Sequence, residues 1–246
     1  DGVWFPRVTT IISFTNTSSF MGYENPAHRG FGIQQAAEWG TITHETVEKI
    51  LKEEEVQIDA RIAITIKAFR DWHEENQMKI VDPEHDLEKR VFDMENGYAG
   101  TVDIIAEVGG ITGIIDLKTS TSILREHSLQ TAAYLNAYNN MAGVDKPCET
   151  RWILRIDQYQ ECLGCLAKKR EKYGRARVAG GKSINWKMCN HQWSATKSEV
   201  EFREFKNHEK DFESFLELKE RWGWNNKEWL DKIPNYEGNI RQYALL

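Results

Sequence analysis

The 246-residue chain has only four cysteines, no excess of positive charge and no apolar run of membrane-spanning length. Each lack excludes something. Four cysteines in a chain of this size do not make a secreted disulfide scaffold. A formal net charge of −6 weighs against a protein that coats nucleic acid with its whole surface, but it leaves room for a local basic patch. No secretory leader is visible, so the expectation is a cytoplasmic, intracellular protein. The chain opens on Asp1, and on this reading targeting stays open. Internal repeats and low-complexity linkers are also missing. What is present, 40% hydrophobic and 28% charged residues, fits one globular domain with a full core.

The periodicity of the chain changes several times. "VWFPRVTTIISF" reads as a short strand or an extended lead-in, because β-branched residues follow a proline. Residues 17–32 read as loop, and a break is expected near Trp39-Gly40-Thr41. "THETVEKILKE" is helical, with His44 on the same face as Val47 and Leu51. Residues 57–77 place Ile58, Ile62, Ile66, Phe69 and Trp72 at helical spacing. The period then shortens. Asn96-Gly97 and Gly109-Gly110 are tight-hairpin dipeptides, and they predict a three-stranded meander over 87–118. A helix over 126–142, strands at "TRWILRIDQYQ" and "EVEFREF", and a helix over 207–222 complete the order. The expected fold is a single α/β domain over 1–246, with a mixed sheet flanked by helices and a small irregular insertion at 161–197.

The segment "GTVDIIAEVGGITGIIDLKTS" places charges inside a hairpin. If Gly109-Gly110 is a two-residue turn, Val108 faces Ile111. Pairing then continues outward: Ile105 with Ile114, Asp103 with Asp116, Thr101 with Lys118. Directly opposed β-carbons lie about 4.5–5.5 Å apart, and like charges placed there destabilise a sheet. A hard divalent cation, taking carboxylate oxygens at roughly 2.0–2.1 Å for magnesium, would relieve the repulsion. Lys118 lies two residues beyond Asp116, next along that face. The alternative is a solvated face with incidental charges. Glu88 is a further candidate for this face if the Asn96-Gly97 turn is tight. Gln130 and Tyr134 stand one helical turn apart just after the meander.

In combination these stretches resemble the PD-(D/E)XK nuclease superfamily, and within it the RecB-type, mitochondrial-exonuclease-like branch. "GTITHETVEKIL" matches the branch's helical His at His44. "GTVDII" matches its GxxD strand at Asp103. "IIDLKTS" matches its acidic-x-Lys motif at Asp116, Leu117 and Lys118. "QTAAY" matches its QxxxY helix at Gln130 and Tyr134, and "PRVTTIIS" is similar to a segment near the start of such proteins. The likeness spans about residues 6–140 through scattered motifs. It implies a restriction-endonuclease-like core and a deoxyribonuclease that hydrolyses phosphodiester bonds. It implies Mg²⁺ or Mn²⁺ on His44, Asp103, Asp116 and the Leu117 carbonyl, with Glu88 a further ligand candidate. Lys118 would position or activate water, with Asp103 and Asp116 sharing the catalytic role, and Gln130 and Tyr134 would contact the nucleic-acid backbone. A histidine ligand favours Mn²⁺ more than an all-oxygen set does. An exonuclease of phage or recombination type is the leading expectation. A restriction-like endonuclease on the same core and a non-catalytic nucleic-acid-binding module are the alternatives.

The insertion contains Cys162-x₂-Cys165 and Cys189-x-His191, two ligand pairs that fit a tetrahedral zinc site. Ordinary reduced thiols and an iron–sulfur cluster are the other readings. Related helicase–nucleases carry such a cluster with one cysteine upstream of the nuclease motifs, whereas all four cysteines here lie downstream. Between the pairs lie Lys168, Lys169, Arg170, Lys172, Arg175, Arg177 and Lys182, with Tyr173 and Trp186 close by. The two readings of this run are an arm that grips DNA phosphates and a solvated loop.

Overall fold

The structure is a computed structural model. It describes residues 2–18, 26–80, 82–141, 143–144, 146–171, 176–182 and 185–236, with the side chains of 15–18 and 26–37 left aside. Arg175, Lys172 and Tyr173 lie outside the described residues. A seven-stranded mixed sheet forms the centre. Strands β1 (Leu87–Asp93), β2 (Tyr98–Val108) and β3 (Ile111–Lys118) make the expected antiparallel meander. Its turns hold Gly97 at φ 65°, Gly109 at 60° and Gly110 at 81°, a left-handed backbone that glycine adopts without a Cβ clash. Helix α4 (Arg125–Asn139) then crosses over, and β4 (Thr150–Glu161) pairs parallel with β3. β4 also pairs antiparallel with β7 (Lys197–Glu204) and, at its far end, with the short hairpin β5 (Lys168–Arg170) and β6 (Arg177–Ala179).

Two apolar cores lie against the two faces of the sheet. Val8, Ile11 and Ile12 of α1 (Val8–Ser18), Leu129 and Ala133 of α4, and Phe215 and Trp222 of α5 (His208–Asn225) cover one face. Val47 and Leu51 of α2 (Pro26–Leu51) and Ile66, Phe69 and Trp72 of α3 (Ala63–Asn76) cover the other. Each Val, Leu, Ile or Phe among them contributes about 1.5–3 kcal/mol when fully buried. A one-turn helix, α6 (Lys227–Leu230), adds Leu230 to the first core. No helix among the described residues is long and apolar enough to cross a membrane.

Four local expectations are corrected. The segment after Pro6 is helix α1, not a strand. Val8, Ile11 and Ile12 stand at i, i+3, i+4 and are all buried, so core packing overrides the β-branched preference for strand. Residues 26–32 are helical rather than loop, and α2 runs unbroken through Trp39-Gly40-Thr41. There Thr43 and Thr46 turn their hydroxyls back onto the Trp39 and Ile42 carbonyls, which satisfies them inside the helix. Ile58 and Ile62 precede α3 rather than belong to it, although both pack in its core.

Gly113 of β3 lies where a Cβ would come within 2.4 Å of the Trp152 ring and 2.6 Å of the Thr150 carbonyl oxygen. Backbone cannot yield there. Gly113→Ala is expected to lower stability by about 1–3 kcal/mol, read as a lower urea midpoint with an unchanged m-value.

Candidate metal and active-site cleft

The hairpin register is as the Gly109-Gly110 turn requires, from Val108–Ile111 through Ile105–Ile114 to Ile104–Ile115. The expected continuation is corrected. Pairing stops before Asp103 and Asp116, while Thr101 pairs with Arg90 of β1 and Lys118 with Arg155 of β4. In place of a ladder bond, Asp103 Oδ2 accepts the Leu117 backbone N–H at 2.7 Å. The neighbouring strand pair is disturbed at the same level. Leu87 and Val91 lie in different cores despite an even spacing, and so do Val102 and Ile104. Both strands therefore reverse their facing at Glu88 and Asp103. Glu88 adopts φ 47°, a left-handed conformation costly for a non-glycine residue inside a strand. This break turns the two carboxylates toward α2.

There they meet His44. One ligand atom from each of His44, Glu88 and Asp103 falls within 4.8 Å of the others, and His44 Nδ1 is 3.6 Å from Asp103 Oδ2. Asp116 is not in this trio. Its carboxylate is buried and bound from the other side: Gln130 Nε2 donates to Oδ1 at 2.8 Å, and Lys118 Nζ lies 2.6 Å from Oδ2. Gln130 also donates to the Tyr134 hydroxyl at 3.1 Å. The ring of Tyr134 lies on Gly100, where a Cβ would be only 2.4 Å from its Cε1. Helix α4 thus fixes Asp116 through Gln130, and Gly100 makes room for the tyrosine behind it.

The charges are strongly coupled. Burial raises the Asp116 pKa, and Lys118 opposes the shift. Burial alone would lower the Lys118 ammonium, but Asp116 and Asp103 outweigh it and the pKa is raised. The Glu88 carboxyl is pushed up to about 7, first by desolvation and then by Asp103, although the residue as a whole is exposed. Burial dominates the two carboxyl shifts, with Asp103 adding to both, while the Lys118 shift reflects the two carboxylates beside it. The donor set, one imidazole with carboxylates, suits a divalent ion.

His44, Asp103, Asp116, Lys118, Gln130 and Tyr134 line one cleft of about 950 Å³. Leu117 touches the cluster through its amide, the donor to Asp103. Glu88 opens instead on an adjoining groove of about 460 Å³, which His44 and Asp103 also line. The cleft is also lined by Arg7 and Thr9, within the PRVTTIIS segment, and by Arg90 of β1, which no motif marks. The helical spacing of Val8, Ile11 and Ile12 puts Arg7 and Thr9 at a helix start, and nothing comparable marks Arg90. The insertion residues behave differently. Lys168 pairs with Glu199, Lys169 with Glu171, and Arg170 grips Asp157 through two nitrogens. Arg177 also has a partner. Lys168, Lys169, Arg170 and Arg177 of the arm are therefore engaged within the protein. Cys162, Cys165, Cys189 and His191 come together as a second cluster.

A scan against protein-family models finds no match, and a search of curated proteins finds none either.

Two predictions follow from these charges. Glu88→Gln removes one of the crowded carboxylates, so it should raise the melting temperature of metal-free protein and weaken the stabilisation that added Mn²⁺ gives. A lower metal-free melting temperature would contradict the crowding. The second concerns His127, at the third position of α4, whose Nδ1 accepts the Leu124 N–H at 3.2 Å. Burial lowers its pKa to about 4. A folded-state pKa below the unfolded one means that the unfolded chain binds more protons as pH falls. Stability is then complete above the unfolded value of about 6.5 and is lost progressively down to about 4. Glutamine can accept the same N–H, so His127→Gln should flatten that part of the pH–stability curve.

Proposed function

We propose that this protein is a divalent-metal-dependent deoxyribonuclease of the PD-(D/E)XK superfamily, with a restriction-endonuclease-like core, acting as an exonuclease. The observation that carries the reading is the meeting of His44, Glu88 and Asp103 with the Asp116–Lys118 pair, across the ends of adjacent strands beside one cleft. Four separate motifs of the chain converge on that place. Phosphodiester hydrolysis needs a positioned nucleophile and neutralisation of charge on phosphorus. A divalent cation held by His44, Glu88 and Asp103 would make a bound water more acidic and polarise a phosphoryl oxygen.

The chain's own residues supply the remainder. Lys118 keeps its ammonium charged because two carboxylates stand near it. It is four-fifths buried, so it loses little to solvent screening and can stabilise developing negative charge. Asp116 orients that ammonium, and Gln130 holds Asp116. Tyr134 stays a neutral phenol, because burial and then Asp116 raise its pKa. Arg7 and Arg90 bring positive charge to the cleft wall, where a DNA backbone would lie.

Cleavage of end-labelled linear DNA with Mg²⁺ or Mn²⁺, beside covalently closed circles, tests the proposal. Linear DNA should be degraded and closed circles spared. Absence of cleavage with either ion would refute the nuclease reading, and cutting of circles would make it an endonuclease. Lys118→Ala and Asp116→Asn are each expected to reduce cleavage at least ~100-fold, with the far-ultraviolet circular dichroism of the wild type.

A further inference from the structure

The second cluster stands apart from the cleft, at the far end of β4. Cys162 closes that strand, and Cys162-Leu163-Gly164-Cys165 forms a tight turn. The Leu166 N–H donates to the Cys162 carbonyl at 3.0 Å, and the Cys162 N–H donates to the Ala167 carbonyl at 2.8 Å. Leu166 takes φ 61° to close the loop. The backbone N–H groups of Cys165 and Gly164 point at the Cys162 sulfur. The other two ligands arrive on a separate loop. A 3₁₀ turn, Trp186–Met188, ends with the Cys189 N–H donating to the Trp186 carbonyl at 3.2 Å. His191 follows two residues later. The Leu163 N–H binds the Gln192 carbonyl at 2.8 Å, and Cys162 bridges to Trp193, so the two loops are held side by side.

The spacing of the side-chain atoms is specific. Cys162 Sγ and Cys189 Sγ are 3.9 Å apart, and Cys165 Sγ lies 3.4 Å from His191 Nδ1. One ligand atom from each of the four falls within 4.8 Å of all the others. Tetrahedral zinc has Zn–S near ~2.3 Å and Zn–N near ~2.0–2.1 Å, which sets S···S edges of about 3.8 Å and S···N edges of about 3.6 Å. The Cys162–Cys189 and Cys165–His191 edges lie close to both values. A disulfide needs about 2.05 Å between sulfurs, and all four cysteines are free.

The insertion also needs a staple. Its buried apolar residues are Cys162, Cys165 and Ala167, with Val178, Trp186, Cys189 and Trp193 packed around them. Three of these seven are themselves ligands. A core of this size does not hold such a segment folded by burial alone. We propose that Cys162, Cys165, Cys189 and His191 form a closed zinc site that staples the insertion onto the end of β4. Four protein ligands leave no open position, so the role is structural rather than catalytic. The site holds the β5–β6 hairpin in place, with the Lys182 N–H donating to the Cys165 carbonyl at 2.9 Å. The proposal does not depend on the nuclease reading.

Metal analysis of the full chain, purified under reducing conditions without chelator, is the test. About one zinc per chain is expected, retained in Cys148→Ser and lost in Cys165→Ser. Cobalt substitution should give the intense visible bands of a tetrahedral thiolate site. Stripping the zinc with a strong chelator should expose the arm, residues 168–188, to trypsin while the rest of the chain resists. Should Cys165→Ser fail to fold, the wild-type stoichiometry and the cobalt spectrum still decide. Iron with acid-labile sulfide, a Cys162–Cys189 disulfide, or no zinc uptake by reduced protein would each overturn the proposal.

Discussion

A carboxylate buried in the central strand of the sheet is the constraint on which this structure turns. Asp116 lies between apolar neighbours, on a strand buried from Gly113 to Leu117, where an isolated charge is strongly disfavoured. It is tolerated because Lys118 and Gln130 come to it from two directions. Gln130 can do so only because α4 crosses directly over β3, and α4 is held there by Arg151. That fully buried guanidinium of β4 donates to the Ser128 carbonyl and the Thr131 hydroxyl of α4, and to Asp211 of α5. One buried charge positions another, and the helices on that face are locked to the sheet by the same contacts.

The second device is the break in the β1–β2 ladder. A regular strand would leave Glu88 and Asp103 paired across the sheet, each on the surface its parity dictates. The left-handed turn of the Glu88 backbone reverses the facing of both strands and delivers two carboxylates to one histidine. Strain of this kind persists only when the surrounding packing fixes it. Here the packing is ample, with Leu87 and Ile104 in one core and Val91 and Val102 in the other. The distortion and the crowded charge occupy the same few residues, as expected where local stability is given up for a binding site.

The insertion illustrates how little a run of charge says about its partners. Read along the chain, residues 168–182 are a block of lysine and arginine. Folded, Arg170 lies against Asp157, Lys168 against Glu199 and the Tyr159 ring, and Lys169 against Glu171. The carboxylates that neutralise the block are mostly on β4 and β7, outside the segment, so no window over the sequence could have paired them.

The sequence by itself determined the meander, its two glycine turns and the register next to the Gly109-Gly110 turn, because side-chain period and turn chemistry are local properties. It also marked His44, Asp103, Asp116, Lys118, Gln130 and Tyr134, and the two ligand pairs of the insertion, because each lies in a short motif. The tertiary structure alone decided three things. It made α1 a helix, since only the core could outweigh a β-branched run. It placed Glu88, rather than Asp116, with His44 and Asp103, since a left-handed backbone inside a strand leaves no trace in residue type. And it showed Lys168 and Arg170 of the arm already engaged, since their ion pairs form between strands that lie far apart in the chain.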